Sequence, residues 1–373
     1  GGTAYILKGR EDTGSYEPVQ LGKRLGLGGE ALVYQLPDGK CAKIFKSKNN
    51  SVMKKEKIRI MVRKLGAMRA VDAALMSRLA WPEKMLYNEQ REWIGYIMPA
   101  FSNTHPFADY SYDTFPALIP NVSKADQIRM SVALTELVDF LHYNNIVLCD
   151  INTSNILFDN DQNAYLIDLD SAQVAFEEKV FPTNVGLPDY LSPEHIRSCT
   201  FDFIKKKCDD VWILQNLIFK ILTPCGHPYS SSIYCEDDRE YVEKGIYPFQ
   251  FDKHPAEEKI RGGPWYNVIS HLPYYLKEGF WESFHGEGKW FHEKERRPVS
   301  YWLNILVRYQ EDLPALTAYD AESGKYLPSR AKKAPPPKAK VISKESSSLA
   351  DFNELLKKLP LEAKKNKSWD SMV

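Results

Sequence analysis

The sequence predicts an α+β chain, with a strand-rich first part holding one main helix and then a larger, mainly helical part. Three features carry that expectation. Short apolar runs punctuated by glycines and polar turns fill residues 18–101. One helical stripe interrupts them: Ile58, Met61, Val62 and Leu65 within "KEKIRIMVRKLGAM". A long amphipathic segment, "SKADQIRMSVALTELVDFLHYNN", then opens a region whose pattern stays mainly helical to about residue 318.

In chain order, "VQLGKRLG" and "ALVYQL" read as strands parted by glycines, and "GKCAKIFK" as a third after the turn "PDGK". "MLYN" and "WIGYIMPAF" are two more, joined by the polar "EQRE". A Pro-, Ser- and Tyr-rich connection runs from Phe101 to about residue 122. Ser123 is the expected N-cap of the next helix, because its hydroxyl can accept from a free N–H of the first turn. Loops are expected around 171–190 and 223–265. The boundaries read as an extension at 1–17, a strand-rich lobe at 18–101, a helical lobe at 102–318 and a tail at 319–373. In the tail, "SRAKKAPPPKAKVISKESSS" has the composition of an extended linker. Leu349, Phe352, Leu355, Leu356 and Leu359 follow at helical spacing. They mark a short amphipathic helix, either a frayed end or a docking element.

Composition narrows the function classes. At 373 residues, 43% hydrophobic and 26% charged, the chain has room for one to three globular domains. A formal net charge of +0 argues against nucleic acid or an anionic membrane as the main partner. No apolar run is long enough to span a bilayer. "GGTAYILKGRED" lacks both a Met and an apolar signal core, and the six cysteines are scattered without a C-x-x-C pair. That suits reduced thiols and a cytoplasmic location better than disulfides or a zinc site.

The candidate chemistry lies at four places. In "LGLGGEALVY", Gly26, Gly28 and Gly29 allow a hairpin backbone to approach phosphates closely, since they lack a Cβ. Lys43 follows in an apolar strand, where an ammonium is costly to bury unless it meets an anion; an edge lysine reaching water is the plainer alternative. Glu56, at the start of the helical stripe, is the candidate carboxylate for that lysine, unless "KKEK" is only a solvated charge run. Finally, "VLCDINTSNILFDNDQNAYLIDLDSAQ" places Asp150 and Asn155 before a strand–turn–strand and Asp168 directly after it. Asn155 and Asp168 offer the hard oxygens that Mg²⁺ prefers, and Asp150 can take the proton of an attacking hydroxyl. A surface turn rich in Asp and Asn is the alternative, and the order of the motifs weighs against it.

These motifs, in this order, resemble the protein kinase superfamily over roughly residues 18–315. The resemblance implies a bilobal fold, an antiparallel sheet with one main helix and then a helical lobe, with ATP in the cleft between. It assigns Gly26 and Gly28, with Ala31 in the third glycine's place, to the phosphate loop. Lys43 matches the strand lysine, Glu56 the helix glutamate, Asp150 the catalytic base, and Asn155 and Asp168 the metal ligands. Val33, Cys41, Met98 and Leu157 would line the adenine slot. Pro99 would offer a carbonyl there and Phe101 an N–H. Ile60, Leu148 and Leu169 fall in the apolar column behind the site. "SPE" at 192–194 resembles the motif that ends the activation segment. Asp210 matches the anchor of the helix after it, and Arg297 the partner of Glu194.

The departures are specific. "HRD" is "LCD", so a phosphorylated activation segment lacks its cation at Cys149, and activity without that phosphorylation is expected. Asn152 replaces the lysine that faces the transferred phosphate. "DFG" is "DLD", with Asp170 in the glycine's place, and Leu187 replaces the threonine tied to Ser/Thr substrates. The set is similar to an atypical bacterial branch of eukaryotic-like Ser/Thr kinases, whose members often work beside a metal-dependent Ser/Thr phosphatase. The resemblance implies ATP and Mg²⁺, or Mn²⁺, as cofactors and transfer to protein hydroxyls, including the chain's own. A nucleotide-binding pseudokinase scaffold is the alternative, and a small-molecule kinase a lesser one, since "SPE", Asp210 and Arg297 build a peptide platform.

Overall fold

The structure is a computed structural model that describes residues 2–46, 51–110, 123–149, 151–182, 191–198, 200–201, 204–223, 227–229, 238–249, 251–252, 269, 272–323 and 367–368. Asp150, Leu187 and the tail segments at 319–366 assigned to a linker and a helix lie outside them, except for the helical residues up to Ser323.

The first lobe is a seven-stranded antiparallel sheet: β1 (Thr3–Lys8), β2 (Ser15–Gln20), β3 (Arg24–Leu27), β4 (Ala31–Gln35), β5 (Cys41–Phe45), β6 (Lys84–Tyr87) and β7 (Trp93–Met98), in the order β2-β1-β6-β7-β5-β4-β3. The strands from β3 onward lie where the alternation puts them. Within residues 1–17, read as an extension, β1 pairs with β6 through Tyr5↔Tyr87 and Ile6↔Leu86, and β2 extends the sheet edge. The sheet binds this hairpin because Ala4 is fully buried and packs with Leu36, Ala42, Leu86 and Ile97 on the outer face.

Strand alternation sorts the two faces. In β5, Ala42 joins that outer cluster, while Cys41 and Phe45 join the main core and Lys43 shares their side. In β7, Ile97 faces out, and Tyr96 and Met98 face in. Helix α1 (Val52–Val71) is capped by Ser51, whose hydroxyl accepts from Lys54 N at 3.1 Å. A short α2 (Ala73–Met76) follows, and Trp81 Nε1 donates to Met61 O at 2.8 Å, pinning α1 beside the sheet.

The second lobe opens with α3 (Lys124–Tyr143). Ser123 caps it in a reciprocal box with Asp126, the residue expected from sequence. Helix α3 packs against α5 (Lys207–Leu222) and α8 (Val299–Ser323), with α4 (Pro193–Ser198), α6 (Asp238–Lys244) and α7 (Tyr274–Phe284) around them. Strands β10 (Ile156–Asp159) and β11 (Ala164–Leu166) form the expected hairpin, its turn closed by Asp159, which accepts from Asp161 N and Asn163 N. Strand β8 (Thr104–Pro106) adds to β10 inside the supposed connection. The loop expected at 171–190 contains a hairpin instead, β12 (Gln173–Phe176) with β13 (Lys179–Phe181), and β12 also pairs with β9 (Ile146–Val147). Val174 and Ala172, fully buried, supply the apolar burial that holds it.

Candidate active site

Four parts of the chain meet at a cleft of about 600 Å³ lined by Gly28 and Gly29, Lys43 of β5, Lys57 of α1, and Asp168 and Asp170 beyond β11. The β3–β4 loop forms one wall. None of its three glycines has a positive φ. A Cβ on Gly29 would meet no atom within 4 Å, and on Gly28 only Ala31 O at 3.5 Å. Internal packing therefore does not demand glycine there, and the lack of a side chain leaves the loop open to an outside group. Gly95 is the opposite case: a Cβ there would stand 1.9 Å from Lys43 O. Glycine at that point lets β7 run close enough to β5 to fix the backbone that carries the lysine.

The Lys43 ammonium bonds to Asp168 Oδ1 and to Asp170 Oδ1. Burial alone would lower its pKa, but the charges of Asp170 and then Asp168 outweigh burial and raise it. Asp170 is only 8% exposed and also accepts from Tyr96 Oη at 2.8 Å. Burial pushes its carboxyl up, and Lys43, with the Tyr96 hydrogen bond, holds it below the usual carboxylate range.

Glu56 does not reach this lysine. It pairs one turn along with Arg59 at 2.7 Å, on the half-exposed side of α1. Helical spacing explains the correction: the buried stripe runs through Lys57, Ile60, Met61 and Met68, so Glu56 falls beside it and Lys57 within it. The helix thus presents a cation to the cleft, and Asp170 supplies the carboxylate.

Asn155 and Asp168 line one small cavity together with Leu148 and Leu169. Their backbones are tied by Ile167 N to Asn155 O at 3.0 Å. Asp168 sits in the left-handed region at φ 61, ψ 35, an unusual backbone for a residue with a side chain. Its carboxylate is 47% exposed. One amide oxygen and one exposed carboxylate fit a Mg²⁺ that completes its shell with phosphate oxygens and water. Among the described residues no cluster of three His, Cys, Asp or Glu side chains could hold a metal. Asn152 has a turn role: its Oδ1 accepts from Ser154 N at 2.9 Å and Asn155 N at 3.0 Å, setting the loop that delivers Asn155.

The support behind the site follows the sequence reading with one change. Asp210, fully buried, accepts from Leu148 N at 2.7 Å, Cys149 N at 2.8 Å and His142 Nε2. It fixes Cys149 at φ 64, directly before Asp150. Ile60, Leu148 and Leu169 are all buried in the main core, as expected of a column. Glu194, however, pairs with Arg296 and not Arg297. Arg296 reaches Glu194 Oε2 at 3.0 Å, Cys208 O and Phe291 O, with a fully buried side chain. Arg297 is exposed and lies over Trp290 and Tyr301. In "ERRPV" either arginine fits the motif, and only burial separates them.

The adenine-slot residues are gathered less tightly. Val33 lines the cleft, while Cys41 and Met98 face each other on β5 and β7, both buried. Leu157 is half-buried on β10, and Phe101 packs on Tyr165 at 4.7 Å. Pro99 lines a separate depression with Met76 and Trp81. Sequence reading missed Lys57, Tyr96, Gly95 and Arg296. Lys57 was findable, since it lies three and four residues before Ile60 and Met61.

A lysine–aspartate pair under a glycine loop, an asparagine beside the aspartate, and a buried arginine–glutamate brace thus stand together in the order read from the sequence. The family model for the protein kinase domain matches residues 19–259, and the chain belongs to that family. Among curated proteins it is similar to Protein kinase YegI of Escherichia coli (strain K12), with 26% identity over 284 residues, 74% of this chain and 43% of that protein. The YegI of Escherichia coli O157:H7 is 26% identical over 313 residues, 82% of this chain and 47% of that one. The chain thus spans less than half the length of these relatives. Over 117 residues it is 32% identical to the cAMP-dependent protein kinase catalytic subunit of Dictyostelium discoideum, covering 31% of this chain and 17% of that protein. Among solved structures, the ROP18 kinase domain in complex with AMP-PNP and sucrose superposes with a TM-score of 0.54 at 16% identity, covering 86% of each chain. That likeness is one of fold, and it agrees with the two-lobed architecture expected from sequence. The bacterial relatives agree with the branch read from the motifs.

Proposed function

We propose that this chain is an active protein kinase that transfers the γ-phosphoryl group of ATP, with Mg²⁺ or Mn²⁺, to Ser or Thr hydroxyls of proteins, itself included. The observation that carries the reading is the direct meeting of Lys43 with Asp168 in the cleft beneath the glycine loop, far apart in sequence and with Asn155 beside the carboxylate. The bound divalent ion would supply charge neutralisation at the phosphates. Asn155 and Asp168 would hold it, Gly28 and Gly29 would admit the phosphates, and Lys43 would orient them. Asp150 is assigned the acceptor's proton from its place in the sequence. Support for ATP also comes from the fold neighbour, whose structure contains AMP-PNP. With Cys149 in place of an arginine, activity is independent of activation-segment phosphorylation. Removal of the phosphoryl group, by hydrolysis to inorganic phosphate, would fall to a metal-dependent Ser/Thr phosphatase in the cytoplasm. Among the described residues no helix is long and apolar enough to cross a membrane.

A second reading, a nucleotide-binding scaffold, is favoured by Asn152, which spends its side chain on a turn and brings no charge to the phosphate. Labelling with radioactive ATP and Mg²⁺ or Mn²⁺ separates the two. Wild type labels itself or a generic protein on Ser or Thr, and Asp168→Ala abolishes it. No labelling alongside a nucleotide-dependent thermal shift selects the scaffold.

A further inference from the structure

Lys57 is the unexplained group in this cleft. It is 7% exposed, yet among the described residues its ammonium makes no hydrogen bond and no ion pair within 4 Å. Its side chain lines the cleft together with Gly28, Gly29 and Lys43, a cleft whose lining does not include Cys41, Met98 or Leu157. Burial lowers its pKa to about 8, only partly offset by the charge of Asp170. A buried cation without a partner is expensive, and proteins keep one where an anion arrives.

The charges around it point the same way. Asp170 is taken by Lys43 and Tyr96, so Lys43 brings little uncompensated charge to the cleft. Asn152 brings none. The N-terminus of α1 opens on the same cleft at Ser51, and its first turn carries no acidic residue, where one would ordinarily complement the helix dipole. Among the described residues, an incoming polyanion therefore meets one cation outside any ion pair, Lys57, beside the paired Lys54 and Glu30, and a helix end with no acidic residue in its first turn.

We infer that Lys57 is a phosphate-contacting residue: its ammonium binds a phosphoryl oxygen of the nucleotide and supplies the positive charge that Lys43, held by Asp170, and Asn152 do not. This rests on the nucleotide reading of the cleft. The cleft then carries a lysine on α1 and a carboxylate, Asp170, on the segment after Asp168.

Titration calorimetry on the full chain with Mg·ATP and with adenosine tests it. At pH 7, Lys57→Met weakens Mg·ATP about 10- to 100-fold, the worth of one charge-assisted hydrogen bond, and leaves adenosine within about twofold. Lys57→Arg keeps most of the affinity. Between pH 7.5 and 9.5, wild-type affinity for Mg·ATP falls as Lys57 loses its proton, whereas Lys57→Arg stays level. Should Lys57→Met fail to fold, this pH comparison decides alone. The inference is overturned if Lys57→Met binds Mg·ATP like wild type, if adenosine weakens equally, or if the wild-type pH profile is flat. Wild type that binds neither ligand overturns the nucleotide reading as well; wild type that binds both while Lys57→Met matches it overturns only the role of Lys57.

Discussion

If Asp170, and not Glu56, anchors Lys43, their removal should have very different costs. Asp170→Asn keeps the side chain's shape and its acceptor oxygen for Tyr96, and removes only the charge. Breaking a buried ion pair from one side costs about 3–5 kcal/mol. Lys43 retains Asp168, whose carboxylate is half in solvent, so the lower end, about 3 kcal/mol, is expected. At roughly 2–4 °C per kcal/mol for a domain of a few hundred residues, Tm should fall by about 6–12 °C. Glu56→Gln breaks an i,i+3 surface pair with Arg59 and should cost no more than about 0.5 kcal/mol. Urea unfolding at pH 7 measures both, provided the m-values agree. Adding Lys43→Met to Asp170→Asn should cost less than the sum of the singles, because each removes the same bond. A Glu56→Gln loss as large as that of Asp170→Asn, or strict additivity of the double variant, would refute the assignment.

Two further perturbations test the frame. Arg296→Met should cost about 3–5 kcal/mol by leaving Glu194 without its buried cation, and Arg297→Met less than about 1 kcal/mol, since it loses only exposed stacking on Trp290 and Tyr301; equal losses in denaturant unfolding would contradict the brace. Glu11 titrates at about 2: burial pushes it up, but hydrogen bonds from Lys55, Tyr87 and Arg59 outweigh burial. A carboxyl depressed in the folded state stabilises above its unfolded pKa, near 4.3, and that contribution is lost as pH falls toward 2. The Tm gap between wild type and Glu11→Gln should therefore be present at pH 7 and shrink between pH 4 and pH 2; a gap that widens on acidification would contradict the sign.

Much of this was legible in the chain because the relevant signals are local. Lys43 was readable as a lysine in an otherwise apolar strand, and Ser123 as the cap that starts α3. Asp168 was readable as the residue leaving a hairpin strand. What escaped reading depends on contacts distant in sequence. Whether Glu56 or Lys57 faces inward turns on about 100° of helix rotation, which the charge run obscured. Arg296 and Arg297 differ only in which one reaches Trp212 and Glu194. The sheet pairing of β1 was not legible because its partner, β6, lies more than sixty residues on.

That hairpin has a consequence for control. Glu11 reaches across to Lys55 and Arg59 of α1 and to Tyr87 of β6, all within 3.0 Å, so the helix is moored from its outer side. Its orientation no longer depends on a bond to the strand lysine, and the two duties of holding the helix and holding the lysine fall to different carboxylates. An on–off device that works by swinging α1 away from Lys43 would find nothing there to release; it would first have to unfasten the amino-terminal strands.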